Sequence, residues 1–208
     1  MLGLTSKELA LLKRLSTPVK IQNFLDTLPI NHEKNGPTQM SPRRVLREGK
    51  AHCIEGAMLA ATALWLHGEE PFLLDLRSLR YDDDHVVTLF KKNGFWGALS
   101  KTNHAVLGYR DPVYKTVREL ALSYFHEYFM LSNGRKTLRE YSLPFNLKRC
   151  GSVWVTSEED LWNIAEALND SRHLSLVPRK NERFLRPATP FERKVTSLAE
   201  WKKNNRRA

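Results

Sequence analysis

The chain has 208 residues, 41% of them hydrophobic, which is enough for one domain with a sizeable core. Its formal charge of +10 draws anionic partners. No apolar run approaches the roughly 18 to 20 residues of a membrane span, and the N-terminus lacks the unbroken apolar stretch of a signal peptide.

Residues up to about Ser16 read as an amphipathic helix, with Leu4, Leu11 and Leu15 at helical spacing and Leu9 and Leu12 beside them. Val19 to Leu28 reads as a short helix or extended linker, and the Gly- and Pro-containing stretch from Asn31 to Pro42 as a loop. Ser41 and Pro42 open a short helix that Gly49 stops. Cys53 to Leu66 is free of proline, rich in Ala and Leu, and apolar on most faces, so it predicts a buried central helix. The period then changes. Phe72 to Leu76 and His85 to Phe90 read as strands, Asn93-Gly94 as a hairpin turn, and Phe95 to Ser100 as the returning strand. A further strand is expected in His104 to Tyr109, and a helix from Val113 to Met130. Asn133 to Leu147 reads as irregular, Ser152 to Val155 as a short strand, Ser157 as the cap of a helix with Glu158 to Asp160 in its first turn, and Leu174 to Val177 as a strand. One buried helix followed by an antiparallel sheet predicts an α+β fold.

Positive charge gathers late, at Arg179, Lys180, Arg183, Arg186, Arg193, Lys194 and in the tail after Trp201. No zinc finger, RNA-binding aromatic signature or helix-turn-helix accompanies it, so it describes a surface rather than a nucleic-acid module. A basic C-terminal extension, about 178–208, is a candidate surface for an acidic partner. Two cysteines, Cys53 and Cys150, fit free thiols in a cytoplasmic setting, and no Cys/His cluster has structural-zinc spacing.

The chemistry gathers at Cys53. A thiol is a poor nucleophile until it ionises, and a helix N-terminus with a nearby imidazole favours the thiolate. The same helix end offers N–H groups to an oxyanion. Cys53 opens the central helix and His85 opens a following strand, a workable nucleophile and base. His104 is the alternative base, in an Asn-His-Ala-Val run. Gln39 and the Cys53 backbone N–H are candidate oxyanion donors. Cys150 reads as structural or idle, and Asp82, Asp83 and Asp84 as a solvated turn. Glu55 suits the helix dipole or a basic neighbour.

From Gly49 to Ser100 the chain resembles the core of the transglutaminase-like superfamily, itself related to the papain fold. The resemblance rests on AHCIEGAMLAATAL, on His85 heading HVVTLF, on the Asn93-Gly94 turn, and on Trp96 at a family aromatic position. It implies a single domain, with a core about 18–125, in which a central helix packs on an antiparallel sheet. It implies cysteine-dependent acyl chemistry on a peptide, protein or small amide substrate, with no cofactor or metal. The family's third residue, an Asp, falls near Ser100. Ser100 or Asn103 would then orient His85 as a neutral acceptor. The competing expectation is a weak or inactive scaffold that binds an acidic partner.

Overall fold

The computed structural model describes residues 2–196, so the tail after Thr196 lies outside the described residues. The α+β class is as expected. Three short helices, α1 (Ser6–Arg14), α2 (Pro18–Thr27) and α3 (Pro42–Glu48), lead into the central helix α4 (Cys53–Leu66). Local chemistry sets their ends. Thr5 and Glu8 form a capping box on α1, and Thr17 and Ser41 cap α2 and α3, each followed by a proline. Gly49 closes α3 at φ 64°, a conformation that favours glycine.

Strands β1 (Phe72–Arg77), β2 (His85–Lys92) and β3 (Phe95–Leu99) follow, with Asn93 and Gly94 both at positive φ in the turn. They form the middle of a seven-stranded sheet of order β4-β3-β2-β1-β5-β7, with β6 also on β1 and every pairing antiparallel. Alternation along β2 sends Val86, Thr88 and Phe90 to the α4 face and Val87 and Leu89 to the opposite face. That opposite face is covered by α5 (Val117–Phe125), which buries Leu120, Ala121 and Tyr124. The helix α4 is apolar all round because it is enclosed: Ile54 to Leu64 are all buried. Thr88 Oγ1 donates to the Ala57 carbonyl at 2.6 Å and ties α4 to β2. Gly56 faces Lys101 so closely that a Cβ would lie 2.4 Å from the Lys101 Cβ.

Several elements depart from expectation. Residues 104–109 are not a strand: Ala105–Leu107 form a single 3-10 turn, and the strand is β4 (Arg110–Tyr114) at the sheet edge. Pro112 tolerates that edge because no partner there needs its N–H. The helix expected from Val113 therefore starts only at Thr116, whose side chain caps α5 with Glu119. The segment expected to be irregular supplies β5 (Glu140–Ser142) and β6 (Phe145–Asn146). Val153–Val155 is a 3-10 turn rather than a strand, α6 (Trp162–Asn169) begins five residues after Ser157, and β7 is His173–Ser175. Asp75 in β1 pairs at 3.0 Å with His173, both side chains nearly sealed. No described helix is long and apolar enough to cross a membrane.

Candidate active site

Cys53 is the first residue of α4, and His85 is the first residue of β2. The tie between Thr88 and Ala57 brings these two starting points to one end of the sheet. There they line a cavity of about 330 Å³ together with His52, Asn103, His104 and Tyr128. Cys53 as a residue is partly exposed and lines this cavity.

Cys53 shares this cavity with two imidazoles, His52 beside it in the chain and His85 at the head of β2. Burial opposes the thiolate, but the two rings outweigh it and bring the Cys53 pKa down to about 6. Burial likewise opposes charge on His52, yet the Cys53 sulfur and the Glu55 carboxylate raise its pKa to about 11. The pair is therefore a thiolate beside an imidazolium at neutral pH.

The tautomer of His85 follows from its neighbours. Ser100 Oγ donates to the Leu107 carbonyl at 2.8 Å. Its single proton is thereby used, so it accepts from His85 Nε2–H at 2.8 Å. That leaves Nδ1 for the cysteine. Both His85 and Ser100 are buried, and the Tyr124 ring lies edge-on to the imidazole at 6.4 Å. Ser100 is itself fixed by Gln22, which accepts from the Ser100 N–H at 2.9 Å and donates to its carbonyl at 2.8 Å. Ser100 is thus the expected orienter of His85. Asn103 lines the cavity, but the His85 ring bonds Ser100. His104 also lines the cavity, whereas the rings that draw the Cys53 pKa down are those of His52 and His85. Gln39 does not line it, and its backbone is engaged by Asp160 and Leu161.

One residue missed by sequence reasoning, His52, completes the site as the basic neighbour of Glu55. His52 Nε2 donates to the Thr38 carbonyl at 2.9 Å and lies 3.3 Å from Glu55. Glu55 is fully buried and accepts from Met40 N–H at 2.9 Å, His52 N–H at 3.0 Å and Thr38 Oγ1 at 2.8 Å. Burial opposes its charge, but His52 and these donors outweigh it and hold the carboxyl at about 2. Glu55 thereby sews the 31–40 loop to the start of α4. Cys150, by contrast, is a thiol that burial pushes up, as an idle cysteine should be. Among the described residues no group of three His, Cys, Asp or Glu side chains is placed to hold a metal ion.

The site defines a class by its own geometry: an α+β protein with a charged cysteine–histidine centre at a helix N-terminus. No family model matches the chain, and no curated protein matches it.

Proposed function

We propose that the protein performs cysteine-dependent acyl chemistry on amides or esters, on a transglutaminase-like scaffold related to the papain fold. The observation that carries this reading is Cys53 at the N-terminus of α4 sharing one cavity with His85, whose ring is fixed by Ser100. The Cys53 thiolate attacks the substrate carbonyl carbon, and the developing oxyanion is met by the Cys53 backbone N–H. The proton that leaves the Cys53 thiol is carried by His85 to the leaving amine or alcohol as the C–N or C–O bond breaks. A thioester on Cys53 remains. His85 then takes a proton from water or an acceptor amine as it attacks, the C–S bond breaks, and the thiolate returns. Water yields a hydrolase; an amine yields a transglutaminase-type acyl transferase.

A second reading, a scaffold that binds without turnover, is favoured by Ser100. A hydroxyl stabilises an imidazolium less than a carboxylate does, so acylation can stall. The basic C-terminal region then serves an acidic partner.

An activated ester separates the two. With p-nitrophenyl acetate, the acyl-transfer reading expects a stoichiometric burst and an acetyl group mapped to Cys53, slowed in His85→Ala and absent in Cys53→Ala. Acetylation of Cys53 no faster than of Cys150 overturns it. A burst followed by no turnover with water or amines selects the binding scaffold.

A further inference from the structure

A second cavity, of about 270 Å³, lies between the turn 130–137 and the segment that follows Pro178. Arg135, Lys136, Arg139 and Arg183 line it, and Glu182 is the one carboxylate among its lining residues. The C-terminal segment is fastened over it. Ala188 N–H donates to the Gly134 carbonyl at 2.8 Å, and Gly134, at φ 75°, leaves no space for a Cβ beside the Ala188 backbone. Arg193 Nη1 donates to the carbonyls of Leu131 and Ser132 at 3.1 and 2.7 Å.

Two cations in this cavity are poorly compensated. Lys136 is only 7% exposed and donates to the His126 carbonyl at 3.1 Å. Its ammonium lies 5.8 and 5.9 Å from the ring centres of Phe125 and Phe129. Burial pushes its pKa down, eased by attraction to Glu192 and opposed in turn by Arg186. The Arg139 side chain is 13% exposed, and its Nε is buried with no hydrogen-bond partner. Its ion partner is the Glu182 carboxylate at 3.7 Å, itself 43% exposed. Buried cations are costly unless an anion answers them. Arginine forks match tetrahedral and planar oxyanions, and four cationic side chains against a single carboxylate line this cavity.

We propose that this cavity is an oxyanion site that binds a phosphoryl group, free or carried on a small molecule, through Lys136 and Arg139. It is separate from the cysteine centre and does not depend on acyl chemistry there. Phe129 lines the cysteine cavity, and its ring centre lies 5.9 Å from the Lys136 ammonium.

The test uses the full chain, titrated with inorganic phosphate at constant ionic strength, with chloride as the reference, by calorimetry and thermal unfolding. Saturable binding with a dissociation constant of about 1 mM or tighter is expected, with a matching rise in melting temperature. Arg139→Gln and Lys136→Met should each weaken it at least about tenfold. Lys136→Met should also raise the melting temperature without phosphate, since it removes a buried charge; a merely structural lysine would lower it. Glycerol 3-phosphate binding more tightly than inorganic phosphate assigns the site to a phosphate ester, and the reverse assigns it to the free ion. Absence of saturable binding up to about 10 mM, or equal binding by both variants, overturns the proposal.

Discussion

The substitution His52→Gln probes the electrostatics of the cysteine centre most directly. Glutamine keeps an N–H for the Thr38 carbonyl that His52 Nε2 now bonds, and it removes the charge. With a pKa of about 6 against an ordinary 9.0, about nine-tenths of the sulfur is anionic at neutral pH instead of about one-hundredth. That gain of about 90-fold is mostly cancelled, because nucleophilicity falls with pKa along a slope of about 0.4–0.5, costing about 16- to 30-fold over three units. Near pH 5.5 the balance changes: the thiolate ratio is about 750-fold and the net advantage about 25- to 45-fold. The assay is therefore the pH profile of iodoacetamide alkylation in a Cys150→Ser background. The wild-type midpoint is expected near 6, the value set by the two imidazoles. In His52→Gln one imidazole remains against unchanged burial, so the midpoint should rise by about 1–2 pH units, and by a comparable amount in His85→Ala. A wild-type midpoint near 9 refutes the thiolate itself. A midpoint near 6 that His52→Gln leaves unmoved refutes the role of His52 alone.

Other expectations follow from the same geometry. Glu55 titrates at about 2 when folded, below the ordinary 4.5, so its contribution is fully present above about pH 4.5 and is lost as pH falls through about 2, roughly 3 kcal/mol in all. Urea unfolding at pH 7 and pH 3 should show a smaller acid loss in Glu55→Gln than in the wild type. Ser100→Ala strips the Leu107 carbonyl of its donor and His85 Nε2–H of its acceptor; it should cost about 1–3 kcal/mol in urea unfolding and slow Cys53 acylation by about tenfold or more. Gly56→Ala places a methyl 2.4 Å from the Lys101 Cβ and should lower stability by about 1–3 kcal/mol in thermal unfolding. The cysteine cavity is rimmed by Glu33, Asp82, Asp83 and Asp84, so an ester with a cationic acyl group should acylate Cys53 faster than an anionic one; the difference should shrink with salt and in Asp83→Asn.

The parts of this fold carried by short-range chemistry were legible in the sequence. The capped start of α3, the Gly49 stop, the extent of α4 and the Asn93-Gly94 hairpin all depend on residues within a few positions of one another. The second half was less legible. The strands β5 and β6 are three and two residues long and exist because β1 lies beside them, a neighbour no local pattern reveals. The Val113 to Met130 segment looked like one helix, yet Val113 and Tyr114 are drawn into β4 by the open edge of β3, and α5 ends at Phe125. The basic stretch after Pro178 read as a surface extension; its described part is largely exposed and also lines a cavity with Arg135, Lys136 and Arg139.

The same division runs through the cysteine centre. Cys53, His85 and Ser100 could be named because each sits at an element boundary that the sequence marks. Gln22 could not, since it reaches Ser100 across 78 residues and sits in a helix whose pattern asks nothing of it. His52 was hidden for the opposite reason. Neighbouring residues on a helix do not face each other, so a histidine just before the nucleophile has no evident claim on it. But His52 is the cap of α4, not its first turn: at φ −98° and ψ −173° its backbone is extended. That one departure from helical geometry, held by the bond from His52 N–H to Glu55, lets His52 line the same cavity as the cysteine that follows it. A glutamate three positions after a cap residue was visible throughout as a helix-start signal. Its further consequence, that it anchors a second imidazole beside the sulfur, follows only from the burial that makes Glu55 a charged group in need of partners.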